Sequence, residues 1–157
     1  MLLLKRISKK LNRECKYFFI DVKNRLGLNE KFFKNARGQA IACYHGICNS
    51  NPLKFNTRFL TQKVFEAHLQ FYHKYFHIVS LDQFYKEEFN KHKFNICISF
   101  DDGYYNNYKY VLPLLKKYKA PATFFITAIS DAGYDILWND FLDISTKYGT
   151  PQISFKE

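Results

Sequence analysis

The feature that most constrains this chain is a short strand-like stretch, residues 94–100, that runs directly into two acids and a glycine. Apolar and polar side chains alternate along it with a period of two, which is typical of a β-strand. The acids, Asp101 and Asp102, repel each other, an arrangement that is tolerable when one binds a cation and the other works as a base. The pattern therefore predicts either such a site at the end of a strand, or an Asp-Asp-Gly turn whose acids cap backbone N–H groups.

Strand and helix patterns alternate through the rest of the chain. Strands are predicted at residues 40–44, 77–79, 94–100 and 123–127, and helices at 61–76, 81–88, 106–118 and 136–147. Thr61 and the pair Ser80 and Gln83 are predicted to cap two of these helices. The alternation predicts the α/β class with parallel strands. The nearly all-apolar stretch 123–127 predicts a strand that is buried on both faces.

Positive charge is concentrated near the amino terminus. The formal net charge is +10, and residues 1–40 hold eleven of the 24 Lys and Arg but three of the 14 Asp and Glu. Apolar residues recur at spacings of three and four over residues 2–28, which predicts a basic amphipathic helix. Such a helix fits an anionic membrane surface, or it packs on the following domain. No nucleic-acid-binding motif accompanies the charge, so nucleic acid is not a predicted partner.

The sequence also predicts the domain organisation and the cellular compartment of the protein. Gly27 and Gly38 are predicted to bracket a linker, so residues 1–38 form a helix and linker and residues 39–157 form a domain. The four cysteines make no Cys-x-x-Cys pair, and Cys43 and Cys97 are predicted to be buried in strands. The chain shows neither a secretion signal nor about 18 consecutive apolar residues. These features predict a cytoplasmic protein, either free or peripheral on the inner face of the membrane.

The segments flanking the two acids extend this interpretation. They are Ser-Phe-Asp-Asp-Gly-Tyr at 99–104, Ala-Pro-Ala-Thr-Phe-Phe-Ile at 120–126, Cys-Tyr-His-Gly-Ile at 43–47 and Leu-Trp-Asn-Asp at 137–140. Together they resemble the polysaccharide deacetylases, the NodB-homology group or carbohydrate esterase family four. The resemblance runs from about residue 40 to about residue 145 and corresponds to the amino-terminal part of that family's domain.

The resemblance implies a fold and a site. The fold would be part of a distorted (β/α) barrel with its site at the carboxyl ends of the strands. Asp101 would be the general base, and Asp102 would bind a divalent metal, zinc or a similar ion. The substrate would be an acetylated carbohydrate. His45, Tyr104 and Trp138 would line the pocket or contact the sugar, and the alternative for each aromatic is ordinary packing.

The chain also departs from the family pattern. The second family motif, His-(Ser/Thr)-x-x-His, supplies two metal ligands and is absent; the histidines are His45, His68, His73, His77 and His92. The later Arg-Pro-Tyr and Leu-x-His motifs are absent too. Two interpretations stay open. One is a metal-dependent deacetylase-like hydrolase acting on N-acetylated sugars of a surface polysaccharide or its precursor. The other is a truncated, catalytically inactive remnant with a sugar-binding or scaffolding role.

Overall fold

The computed structural model describes residues 2–50, 56 and 58–149, with side chains from residue 9 onward. The chain divides into two compact units, Met1–Arg37 and Gly38–Glu157. The division lies one residue from the boundary expected from the sequence, and the roles assigned to the two parts stay predictions. The last residues of the predicted domain, 150–157, lie outside the described residues, as do the side chains at the start of the predicted basic helix.

The first unit contains two helices, α1 (Leu2–Arg25) and α2 (Glu30–Asn35). Gly27 ends α1 in a left-handed conformation, with φ +68°. The N–H of Gly27 donates to the carbonyl of Asn24, and the N–H of Leu28 donates to the carbonyl of Lys23. These two hydrogen bonds form a Schellman cap. A short helix, α2, occupies the middle of the predicted linker between Gly27 and Gly38.

The second unit is built on a parallel four-stranded sheet. Its strands are β1 (Gly38–Tyr44), β4 (His77–Val79), β5 (Phe94–Phe100) and β6 (Thr123–Phe124). The central strand β5 pairs with β1 along its full length. On its other side it pairs first with β4 and then with β6. The predicted α/β class with parallel strands is confirmed, and the strands described here form an open sheet rather than a closed barrel.

Helices cover one face of this sheet. Alternate strand residues, Tyr44, Ile98 and Phe100, point to the face on which α3 (Gln62–Tyr75) and α5 (Leu112–Tyr118) pack. Buried side chains from both helices fill the interface. Phe65 and Leu69 from α3 are fully buried, and Leu114 and Leu115 from α5 are almost fully buried. The opposite face carries Cys43, Ser99 and Asp101. The period-two pattern read from the sequence therefore separates a packed face from a polar one.

Local sequence signals set the helix starts. The Thr61 hydroxyl accepts from the N–H of Val64 at 3.3 Å, as predicted for the cap of α3. Ser80 and Gln83 form the predicted capping box of α4 (Leu81–Tyr85), with bonds of 3.1 and 2.9 Å. Pro113 lies in the first turn of α5, where its missing N–H costs nothing. A π-helical turn, Asn107–Val111, precedes α5.

Two local expectations are wrong. The predicted strand 123–127 is paired only at Thr123–Phe124, and Phe124, Phe125 and Ile126 are exposed rather than buried. The reason is that, in the part of the chain that the structure describes, no strand pairs with the outer edge of β6. The sequence also did not predict the short parallel pair β2 (Ile47–Cys48) and β3 (Leu60–Thr61). Among the described helices, none is long and apolar enough to cross a bilayer.

Candidate functional site

The two acids lie in a tight turn at the carboxyl end of the central strand. Asp102 and Gly103 both adopt left-handed backbone conformations, with φ of 71° and 66°. Such a conformation is uncommon for a residue with a side chain and costs on the order of 1–3 kcal/mol where the surroundings impose it. A Cβ on Gly103 would lie 3.1 Å from the Cα of Ile126, so glycine is needed for both conformation and space.

The turn is fastened to the neighbouring strand through Asp101. The N–H of Asp101 donates to the carbonyl oxygen of Tyr44, the last residue of β1, at 2.8 Å. The next residue, His45, is half-buried, and its carbonyl oxygen accepts from Asn107 Nδ2 at 2.9 Å. The parallel register of β1 and β5 thus brings His45 to the same edge of the sheet as the two acids.

A cysteine contacts the first of the acids. Cys43 Sγ donates to Asp101 Oδ2 at 3.1 Å. Cys43 lies opposite Ser99 in the register of β1 and β5, and Asp101 follows Ser99 by two residues. The expectation that Cys43 is buried is wrong, because it lies on β1, an edge strand among the described strands, whereas Cys97, on the central strand β5, is buried as predicted. Partial desolvation and the hydrogen bond to Asp101 raise the pKa of the Cys43 thiol. The thiol is therefore protonated at neutral pH and acts as a hydrogen-bond donor to the carboxylate.

The second acid has an oxygen without a partner. Among the described residues, Asp102 Oδ2 is buried and accepts no hydrogen bond. A buried carboxylate oxygen left unpaired is costly, and a cation is one of the partners that removes the cost. Asp102 is therefore suited to be a metal ligand. However, no group of three or more His, Cys, Asp or Glu in the described part of the chain is placed to hold a metal. The described residues offer one candidate ligand and do not complete a metal site.

The aromatic candidates take different positions. Tyr104 directly follows the turn, and its ring packs edge-on against Phe59 at 4.9 Å between centroids. Trp138, in contrast, is 74% exposed at the start of α6 (Trp138–Tyr148). It lines a separate apolar cavity of about 430 Å³ with Tyr134 and Phe141. The structure thus brings Asp101, Asp102, Tyr104 and the backbone of His45 together, and it places Trp138 on another surface.

A larger groove opens beside the turn. It has a volume of about 580 Å³ and is lined by apolar and aromatic side chains together with Gly103 and Asn107; the aromatic ones are Tyr104, Tyr105, Tyr108 and Phe124. Asn107 is buried, and its Oδ1 is the other buried side-chain oxygen in the described part of the chain that has no hydrogen-bond partner. The groove therefore has mainly aromatic and apolar walls, with Asn107 in its lining.

Sequence reasoning missed the residues that hold Tyr104. Its hydroxyl donates to Asp140 Oδ2 at 2.7 Å, and Asp140 in turn binds Arg58 and Asn56. Burial and the hydrogen bond to Asp140 raise the pKa of Tyr104. The only signal in the sequence was the Leu-Trp-Asn-Asp segment at 137–140, in which the tryptophan rather than the aspartate was singled out.

Comparison with known proteins agrees with this geometry. Residues 89–136, which include β5, the acid turn and β6, match the family model described as polysaccharide deacetylase. A Bacillus subtilis (strain 168) protein, YxkH, whose name assigns it to the polysaccharide deacetylases, is 34% identical over 90 residues. That alignment covers 55% of this chain and 30% of the relative.

A solved structure shares the fold. The Streptococcus pyogenes deacetylase PplD, solved in complex with acetate, has a TM-score of 0.50 and 23% sequence identity. The match covers 68% of this chain and 51% of that structure. The predicted resemblance is therefore confirmed: over the matched residues this chain is similar to the polysaccharide deacetylases, and its fold is like that of the solved deacetylase. It spans about a third of the length of the curated relative and about half of the solved one.

Proposed function

We propose that this chain is a deacetylase-type hydrolase that acts on N-acetylated sugars of a surface polysaccharide or of its precursor. The observation that carries the proposal is the turn after β5. It places Asp101 and the unpaired, buried Oδ2 of Asp102 next to each other at the carboxyl edge of a parallel sheet. This is the edge at which α/β folds place their chemistry.

The two acids are assigned different roles. Asp101 is proposed as the general base, because a carboxylate at the strand end can accept the proton of an attacking water. The bond from Cys43 engages Oδ2 of Asp101 and so fixes the plane of the carboxylate. Asp102 is proposed as one ligand of a divalent metal, with zinc as the first candidate.

A bound divalent metal would lower the pKa of its water and polarise the carbonyl of the acetamide. One carboxylate holds zinc weakly, so the remaining ligands would have to come from residues outside the described part of the chain, or from another molecule. This requirement makes the metal the most informative component to test. His45 is the histidine closest in sequence to the carboxyl end of β1, and it is proposed to line the pocket.

The test compares acetate release and zinc binding by the full chain. An oligomer of N-acetylglucosamine is the substrate probe, and zinc chloride is titrated by calorimetry. We expect zinc-dependent release that Asp101→Asn abolishes, and zinc binding that Asp102→Asn weakens. Asp82→Asn is the matched control, because Asp82 is exposed on α4 and pairs only with Lys86 among the contacts described. Binding of zinc that is equal in Asp102→Asn and wild type would rule out the assigned ligand.

A second candidate function is sugar binding without hydrolysis. It is favoured by the absence of a complete metal-ligand group among the described residues and by the groove lined by Tyr105 and Tyr108. Aromatic faces stack on sugar rings, and Tyr105 and Tyr108 are both exposed. In this case the same oligomer binds without acetate release, and Tyr108→Ala weakens binding whereas Tyr85→Ala, on an exposed part of α4, does not.

We also propose that the protein is cytoplasmic and that residues 2–28 contact the inner, anionic face of a membrane. The support is the exposure of Leu11 and Phe18, each above 60%, on a helix whose other face is rich in Lys and Arg. We expect flotation with vesicles containing anionic lipid, reduced by salt and by Phe18→Ser. Phe32→Ser, at an equally exposed aromatic in α2, is the control. Equal binding to neutral vesicles would contradict the electrostatic part of this proposal.

A further inference from the structure

A buried aspartate that the proposed chemistry does not use connects three distant segments of the chain. Asp140, on the first turn of α6, is 8% exposed. Its Oδ1 accepts from Arg58 Nη2 at 2.6 Å and from Asn56 Nδ2 at 3.0 Å. Its Oδ2 accepts from the hydroxyl of Tyr104 at 2.7 Å. Three donors on two oxygens leave this carboxylate well satisfied, which is what a buried charge requires.

Arg58 is equally engaged. Besides Asp140, its Nη2 reaches Asp143 Oδ2 at 3.4 Å, and its Nε donates to Asn56 Oδ1 at 3.2 Å. Two nitrogens of the guanidinium, Nε and Nη2, are thus bonded to acceptors of this one cluster. A planar fork of this kind cannot be replaced by the single ammonium of lysine without losing part of the bonding.

The cluster ends at the acid turn. Tyr104 follows Gly103 directly, and its ring is held by Phe59 while its hydroxyl is held by Asp140. At the other end of the turn, the N–H of Asp101 is bonded to Tyr44 in β1. The two left-handed residues between these anchors have an intrinsically unfavourable backbone, so their conformation depends on both ends being fixed.

We propose that Arg58 and Asp140 are positioning residues that hold Tyr104 and thereby fix the Asp101–Asp102–Gly103 turn in its strained conformation. The importance of this positioning for catalysis rests on the proposed function, because that function gives Asp101 and Asp102 their roles. The dependence of the turn conformation on the Tyr104–Asp140 hydrogen bond does not require the proposed function. Asp140 is thus a residue that acts on the site through Tyr104 and not by contact with substrate.

The test removes one oxygen. Tyr104→Phe keeps the ring against Phe59 and deletes the donor to Asp140, and Tyr105→Phe is the matched control because Tyr105 is 77% exposed. Amide hydrogen exchange of the full chain is followed by mass spectrometry over residues 101–106, together with the fluorescence of Trp138, the only tryptophan. We expect exchange in the turn to rise at least about tenfold in Tyr104→Phe, which corresponds to the loss of at least about 1.4 kcal/mol from this hydrogen bond. The emission of Trp138 should shift, because α6 loses a contact.

A second set of variants separates positioning from general stability. In Asp140→Ala, adding Tyr104→Phe should cause no further rise in turn exchange, since the alanine has already removed the acceptor of the Tyr104 hydroxyl. Arg58→Lys should give an intermediate rise in the turn while the exchange of α3 stays at its wild-type rate. The proposal is overturned if Tyr104→Phe behaves like Tyr105→Phe, or if exchange rises equally in α3 and in the turn.

These readouts need neither substrate nor metal. If acetate release is never observed but turn exchange responds as expected, the proposed function fails and the positioning role stands. If acetate release is observed and turn exchange does not respond, the positioning role fails alone.

Discussion

Cys43 Sγ and Asp101 Oδ2 lie 3.1 Å apart, so the thiol of β1 donates a hydrogen bond to the first acid of the turn after β5. The pairing follows from register: Cys43 lies opposite Ser99, and Asp101 is two residues further along on the same face. The reactivity of the Cys43 thiol therefore depends on the carboxylate of Asp101 beside it.

Replacing Asp101 should make Cys43 more reactive. Desolvation first, and then the hydrogen bond and charge of Asp101, raise the pKa of the thiol. Asp101→Asn removes the charge, so the pKa should fall and the thiolate fraction at pH 7.5 should rise, by up to about tenfold for one pKa unit. The measurement is the rate of alkylation of Cys43 by iodoacetamide, resolved by peptide mass spectrometry. Asp135→Asn is the control, and a rate that is unchanged or slower in Asp101→Asn would contradict the prediction.

Gly103 should tolerate a methyl group less well than another left-handed glycine. Gly103→Ala places a side chain on a residue with positive φ and brings its Cβ to 3.1 Å from Ile126. Gly133→Ala also places a side chain on a residue with positive φ, but nothing lies within 4 Å of the added Cβ. We expect Gly133→Ala to lower the free energy of unfolding by about 1 kcal/mol. Gly103→Ala should lower it by at least a further ~1 kcal/mol. Urea unfolding followed by circular dichroism gives both values, and equal losses would mean that the turn moves away from Ile126 at no cost.

His68 should make the protein less stable in mild acid. It is half-buried on α3, its Nδ1 lies 3.0 Å from the hydroxyl of Tyr44, and desolvation lowers its pKa. A folded pKa below the unfolded value of about 6.5 means that the unfolded state takes up the proton first. The associated stability is complete above pH 6.5 and is lost as the pH falls from there towards the folded pKa, with a slope of at most about 1.4 kcal/mol per pH unit.

The check is the free energy of unfolding between pH 5 and pH 7.5. His68→Gln should flatten the slope, and His73→Gln, an exposed position on the same helix, should leave it as in wild type. A slope that survives in His68→Gln would assign the effect to other groups.

The open edge next to β6 should promote self-association. Phe125 is 51% and Ile126 80% exposed, directly after a strand whose outer edge has no partner among the described residues. Such edges pair with other chains, and a charge on them prevents it. We expect Ile126→Lys to reduce the fraction of oligomer seen by sedimentation velocity. Tyr85→Lys adds the same charge on α4 and should have no effect, and a wild-type chain that is monomeric at high concentration would exclude this edge as an interface.

Much of the local structure was predictable because its causes are local. The caps at Thr61 and Ser80 depend on residues three positions away, and the β5 pattern depends on neighbours two positions away. The failures have non-local causes. The stretch 123–127 is as apolar as a buried strand, but burial needs a neighbour on its outer side, and the described chain supplies none. Cys43 has the sequence context of a buried residue, but it lies on β1, which is an edge strand among the described strands.

The sequence by itself determined the alternation of strands and helices, the acid pair at the end of β5 and the glycine that its turn requires, because each depends on a few adjacent residues. Tertiary structure alone decided that Cys43 contacts Asp101 and that Tyr104 is held by Asp140, Arg58 and Asn56. Those partners are 36 to 84 residues apart, and only the parallel pairing of β1 with β5 and the packing of α6 bring them within hydrogen-bond distance.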